Sequence, residues 1–386
     1  MPDMDRAVIV ELVPPESFVP VFCPWTECPE HRRRVGRLHC VPHGSYRRRC
    51  DGRIVPRFRC LGCRRTFSQQ SFAFSYYLKR PELSRPIAAG LVAGSAHRQI
   101  ARSIGCHHST VTRRSRRLGR HALLLHDTAL RGLVLSEPVI VDDFDSFAGS
   151  QYFPCTLPTA TGSNSWFLYG FAFARERRRG SMSPIQQTRR AHLERLHGRP
   201  PRGAVAAAFR SLLKALPPSR DQLRIVADDD PAIRRAADEL PHVQLSAYPN
   251  PARGPKGSRR SPEARRRDQA MFPNDQLHRF LRHTEAAHRR ETIAFGRSYN
   301  GLVERLALFV VWRNLVQARS ERHPRDGTTA MRLRLTNRPW GWNEVLAERL
   351  HPARVRAGGE VMTYYRRELV IPSLPNEKRH ALLRAY

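Results

Sequence analysis

The 386 residues include 67 Lys and Arg against 34 Asp and Glu, a formal net charge of +33 at neutral pH. Basic residues recur in almost every segment, so the whole chain attracts polyanions and nucleic acid is the leading partner. No apolar run of about 18 residues is present, and MPDMDRAVIV meets Pro14 and Pro15 without a signal-peptide pattern, which argues against a membrane and predicts a soluble, cytoplasmic, nucleoid-associated protein. At this length two or three domains of about 100 to 200 residues are expected.

The first region, 1–80, holds six of the eight cysteines, all between positions 23 and 63. That is too few for a disulfide scaffold and too clustered for chance, so it points to metal. Cys23 and Cys28 bracket CPWTEC, and Cys60 and Cys63 bracket CLGC. Two such pairs supply four thiolates to a tetrahedral structural Zn²⁺, and Gly62 is expected to permit the tight turn of the second knuckle. The first pair has four intervening residues where two are usual, which leaves His31, Cys40, His43 and Cys50 as replacements for one of its ligands.

Residues 84–126 read as short helices. In RQIARSIGCHHSTVTRRSRRL the spacing of Ala101, Gly105 and Val111, with Ile100 and Ile104, matches a helix-turn-helix. Its second helix is expected to be capped by Ser109 and to present Thr110, Arg113, Arg114, Arg116 and Arg117 to phosphates and guanine edges in the major groove. The competing reading is a helical hairpin with a solvated basic face.

From 135 to 320 β-type runs alternate with helical ones, an α/β pattern interrupted by a basic insertion at 250–269, NPARGPKGSRRSPEARRRDQ, expected to be an exposed loop. VIVDDFDSF places Asp142, Asp143 and Asp145 behind one apolar strand, and LRIVADDDPA places Asp228, Asp229 and Asp230 behind another, with Pro231 opening a helix. Two carboxylate-bearing strand ends side by side repel each other unless a cation lies between them, and oxygen ligands suit Mg²⁺ or Mn²⁺, two ions per active site in phosphoryl transfer. A third acid is sought in the helix GLVERLALFVVWRN, where Glu304 is the first choice and Glu291 its rival; an ion pair with Arg305 or Arg297 is the structural alternative. Asp143, Asp145, Asp229 and Asp230 also suit N-caps and strand-end turns. The tail, 321–386, is assigned to a C-terminal extension.

Taken in order, CLGCRRTFS, the helix-turn-helix, VDDFDSF, VADDDPA and RRETIAFGRSYNGLVERLALFVVWRN resemble the zinc-ribbon DDE transposases of bacterial insertion sequences, over roughly residues 20–350. The resemblance implies a multidomain α+β chain, with a zinc ribbon, a helix-turn-helix, a ribonuclease H-like α/β catalytic domain and a C-terminal helical extension. It implies hydrolytic nicking at terminal repeats and joining of the freed 3′-hydroxyl to target DNA by a homo-oligomer. By motif, Asp142, Asp228 and Glu304 become the metal-binding catalytic acids, although some relatives carry the third acid where this chain has Asn300. A DNA-binding regulator with an inactive catalytic domain, or a structure-specific nuclease of the same fold, would share many of these features.

Overall fold

The computed structural model describes residues 19–33, 38–252, 254, 255, 257–289, 292–355, 357–372, 374 and 377–380. It begins with a short helix, α1 (Pro29–Arg32), and an antiparallel three-stranded sheet, β1 (Cys40–Arg47), β2 (Ile54–Cys60) and β3 (Thr66–Ser68), in the order β1-β2-β3. A small core of Phe22, Leu38, Phe67, Phe72 and the cysteines fills this region. Few apolar side chains are buried here, so the segment depends on something beyond hydrophobic burial for its stability.

Three helices follow: α2 (Ser84–Val92), α3 (His97–Ser103) and α4 (His108–Ala129). Gly105, with φ +62°, makes the turn between α3 and α4, and the His97 ring meets Thr112 Oγ1 at 3.0 Å across it. Two helices thus meet at a glycine turn, at the position that the spacing predicts. The cap of α4 is not Ser109, however, because His107 is the N-cap residue and its Nδ1 accepts the backbone N–H of Ser109. Nor is 84–126 a unit with its own core. Leu118, Leu123, Leu124 and Leu125 of α4 belong to the same buried cluster as the large sheet and the later helices.

That sheet contains β4 (Val139–Phe147), β5 (Pro154–Gly162), β6 (Leu168–Phe171), β7 (Ala174–Arg175), β8 (Leu223–Asp228) and β9 (Val243–Tyr248). Its order is β6-β5-β4-β8-β9, with β7 on β5. β4, β5 and β6 form an antiparallel meander, whereas β4, β8 and β9 run parallel. Parallel neighbours require crossovers; these use α5 (Pro184–His197) and α6 (Ala204–Ala215) before β8, and α7 (Pro231–Asp238) before β9. Local sequence sets the helix starts. Ser183 and Gln186 form a capping box on α5, and Asp230 accepts the N–H groups of Ala232 and Ile233 at the start of α7, just before Pro231 at its first turn.

Two further helices complete the site. α8 (Pro262–Thr284) packs on β4, β5, β8 and β9, while α9 (Tyr299–Val311) packs on α4. α8 corrects the expected loop at 250–269: its second half is helical because Ser261 caps the helix and Pro262 occupies its first turn. The α4–α9 crossing is close. A Cβ on Gly119 of α4 would lie 2.5 Å from the Cβ and carbonyl oxygen of Glu304 on α9, so only glycine fits there.

Candidate functional site

The cysteine site follows the sequence expectation. The sulfurs of Cys23, Cys28, Cys60 and Cys63 all lie within 4.8 Å of one another. Cys23 and Cys63 are 3.7 Å apart, as are Cys28 and Cys60. A tetrahedral ion with metal–sulfur bonds of about 2.3 Å requires sulfur–sulfur separations of roughly 3.8 Å, so the four residues can hold a metal ion such as zinc. Burial pushes the Cys23 and Cys28 thiols up; a bound cation favours the thiolates and offsets that cost. The long first knuckle is closed by a turn, with Cys28 N–H donating to Trp25 O. His31 is not a ligand in this set, since its Nδ1 donates to the Cys23 carbonyl at 2.6 Å, and Cys40, His43 and Cys50 stand outside it. Gly62 matters for a different reason than expected. Its side-chain position is filled by Glu30 Cγ at 2.9 Å and the Cys28 sulfur at 3.5 Å, while the left-handed residue of the turn is Arg64, φ 61°.

The second site lies on the large sheet. β4 and β8 pair in parallel register through Val139–Ile225, Ile140–Val226 and Val141–Ala227, so Asp142 and Asp228 follow next to each other on the same face. Asp142 is within β4 rather than at its end, because β4 continues to Phe147 on β5. The next residues along each strand point elsewhere. Asp143 and Asp145 belong to the opposite face of β4, Asp145 accepts from Thr156 Oγ1, Asp229 pairs with Arg234, and Asp230 caps α7. Of the three consecutive aspartates, Asp228 is thus the one aligned with Asp142.

α8 covers this pair. Asn274 donates to Asp142 Oδ2 at 3.2 Å, and His278 Nδ1 lies 3.5 Å from the same oxygen. Thr159, opposite Asp142 on β5, meets His278 Nε2 at 2.9 Å, and Thr161 donates to Asn274. Asp142 is 9% exposed, and burial, then the charges of Asp143 and Asp228, hold its carboxyl well above the usual range. Burial, then Arg282 and Arg267, pushes His278 down to about 3, so its ring is neutral. Arg267 forks onto Asp228 with bonds of 2.8 and 2.9 Å and reaches Asp275 at 2.6 Å. Asp228 and Asp275 thus already hold a cation, the Arg267 guanidinium. A divalent ion can take both Asp228 oxygens only after Arg267 turns away.

Glu304 does not join this group. It is 2% exposed between α4 and α9, where Arg367 donates to it at 2.8 Å. Burial outweighs Arg367 and Arg120 and pushes its carboxyl up to about 7. The structural alternative is what occurs, with Arg367 in place of Arg305 or Arg297 as partner. Glu304 was misplaced because an acid amid apolar residues on a helix looks the same in sequence whether it faces a metal or an arginine. Asn300 is also structural, donating to the carbonyls of Arg367 and Leu369. Glu291 lies outside the described residues. The residues that sequence reasoning missed, Arg267, Asn274, Asp275 and His278, recur at spacings of seven, one and three along α8, a helical rhythm hidden by the basic composition around it.

Two of the arginines expected to face DNA turn inward instead. Arg114 is buried and donates to Ser84 Oγ and Arg80 O; Arg117 is buried and donates to Tyr76 O. Arg116 and Thr110 are half-buried, and Arg113 alone of the five is exposed. Arg98 and Arg102 on α3 are exposed as well. The face turned inward because α4 must bury Val111, Ser115 and Leu118, and 114 and 117 lie on that side of the helix. No helix among the described residues is long and apolar enough to cross a membrane. No protein-family model matches the chain, and no curated protein matches it significantly.

Proposed function

We propose that the chain is a DNA-binding, metal-dependent polynucleotidyl transferase of the insertion-sequence transposase type. The observation that carries this reading is the β4–β8 register, which aligns Asp142 and Asp228 on one face beneath α8. In this proposal Asp142 and Asp228 hold Mg²⁺ or Mn²⁺, and Asp275 replaces Glu304 as the third acid, since Arg267 links it to Asp228. When bound, the metal supplies Lewis-acid activation of a phosphodiester and of the attacking oxygen. The chain itself contributes the orientation of Asp142, fixed by Asn274 and backed by the Thr159–His278 contact.

Other features support the same reading. Antiparallel strands continuing into helix-connected parallel ones suit a ribonuclease H-like domain, the four cysteines suit a zinc ribbon, and the α3–α4 turn with exposed Arg113 suits duplex binding. A net charge of +33 suits a phosphate-rich substrate.

A DNA-binding regulator is the second reading, favoured by one observation: Arg267 occupies both oxygens of Asp228. The test is Mn²⁺-dependent nicking of duplex DNA by Asp142→Asn, Asp228→Asn and Asp275→Asn. Each is expected to lose about 10²-fold or more in rate, the scale seen when one group of a preorganised electrostatic site is removed, while Glu304→Gln nicks normally. A wild-type protein that binds duplex but never nicks selects the regulator.

A further inference from the structure

A second surface feature lies away from the carboxylates. Between the strands β1–β3 and residues 76–79 runs an open groove of about 460 Å³. Its walls combine three tyrosines, Tyr46, Tyr76 and Tyr77, with Arg49, Arg57 and Lys79, and no Asp or Glu among the described residues lines it. Arg49, Arg57 and Lys79 form no ion pair among the described residues, whereas Arg48 beneath them is committed to Asp51 and to the Ser75 carbonyl. The groove therefore presents uncompensated positive charge.

Tyr77 is unusual in two respects. Its side chain is 75% exposed, although it is a large aromatic, and its backbone is left-handed at φ 57°. That conformation is an outlier for a bulky residue and persists only where the surroundings impose it. The Tyr76 and Tyr77 ring centroids are 4.4 Å apart, and Tyr46 on β1 is 38% exposed. Exposed aromatic faces interleaved with unpaired cations match the needs of an unstacked nucleic-acid strand, which offers base faces for stacking and phosphates for the cations. A duplex hides its base faces and gains little from exposed tyrosines.

We infer that this groove binds single-stranded DNA, with bases stacked on Tyr46 and Tyr77 and phosphates held by Arg49, Arg57 and Lys79. The inference rests on the reading of the chain as a DNA-binding protein, but not on its catalysis. It gives the cysteine-held region a role apart from the α3–α4 duplex contact: that region holds a strand after the duplex has opened.

The test is fluorescence anisotropy of the full-length, zinc-loaded protein with a labelled oligothymidylate of about 12 nucleotides and a duplex of equal length, a span within the usual single-strand site size. Tyr46→Ala and Tyr77→Ala are each expected to weaken oligothymidylate binding roughly tenfold, with duplex affinity nearly unchanged, and Tyr77→Phe to retain wild-type affinity because it keeps the ring. Should Tyr77→Ala lose zinc or fail to fold, Tyr46→Ala and the double variant Arg49→Ser/Lys79→Ser carry the test, with the same selective loss expected. Wild-type-like oligothymidylate binding by the folded variants, or equal loss on both probes, overturns the inference alone. Wild-type protein that binds neither probe overturns the DNA-binding reading as well.

Discussion

The cysteine cluster and the sheet carboxylates both gather anionic side chains, yet they are organised differently. Four sulfurs stand at tetrahedral spacing, each within reach of one shared ion. By contrast, Asp228 and Asp275 grip an arginine, and Asp142 is held by Asn274 beside a neutral histidine. The first site is complete in its own side chains and has a structural character, because four protein ligands close a metal's coordination. The second is filled by an internal cation, the Arg267 guanidinium, which a divalent ion would have to displace in the function proposed above.

The largest expected effect breaks the first half of this contrast. Structural zinc in small domains is worth about 10–16 kcal/mol of apparent binding energy at neutral pH, and the region's small core cannot replace it. Cys28→Ser or Cys60→Ser in the full chain should abolish stoichiometric zinc and expose 19–72 to limited proteolysis. Cys40→Ser should keep the metal; zinc loss in that variant with retention in Cys28→Ser would exchange the ligand.

Next in size is the buried pair that Glu304 makes. Arg367→Met strands Glu304 and Glu377 together, both of which it now contacts, and should cost about 3–5 kcal/mol in denaturant unfolding. Glu304→Gln should be far milder, because burial already outweighs the arginine's attraction. The pH dependence has a definite sign. With the folded carboxyl near 7 and the ordinary unfolded value about 4.3, the folded state binds the proton first as pH falls. Wild type therefore gains stability relative to Glu304→Gln as pH drops from about 7 to about 4.5, and loses that gain on the way up. Equal pH profiles for the two proteins would remove this account of Glu304.

Smaller still is the difference between two neighbouring arginines of α4. Arg114→Met leaves the Arg80 carbonyl and Ser84 without their donor and should cost about 1–3 kcal/mol of stability, with little direct effect on DNA. Arg113→Ala should leave stability unchanged, weaken duplex binding by about 1 kcal/mol and reduce the salt slope by about one. The reverse assignment would restore Arg114 to the recognition face.

The contrast also explains what the sequence made legible. The cysteine pairs are local: CLGC and CPWTEC carry their own turns, so ligand spacing survives into three dimensions. Asp142 and Asp228 were legible because a β-branched run followed by acids describes a strand and its neighbour. What sequence could not fix was which helix covers that strand pair. RRRDQAMFPNDQLHRF has the composition of a basic loop and places Pro273 where an uninterrupted helix would not be expected, yet the Ser261–Pro262 start and burial of Met271, Leu277 and Leu281 make it α8. Glu304 and Arg367 are 63 residues apart in the chain, and their meeting depends on how the C-terminal segment returns to α9. Arg114 and Arg117 are not exposed for DNA contact, because a basic helix face looks the same in sequence whether phosphates or backbone carbonyls receive it, and here the carbonyls of Arg80 and Tyr76 do.

In the proposed function Asp142 and Asp228 form one cation site, and Glu304, paired with Arg367, lies outside it. Mn²⁺ titration of the full-length protein followed by electron paramagnetic resonance tests this without any substrate. Saturable Mn²⁺ binding is expected in wild type and in Glu304→Gln, lost in Asp142→Asn and in Asp228→Asn, and strengthened in Arg267→Gln, which removes the competing guanidinium. Binding that survives both aspartate changes but disappears in Glu304→Gln would contradict it.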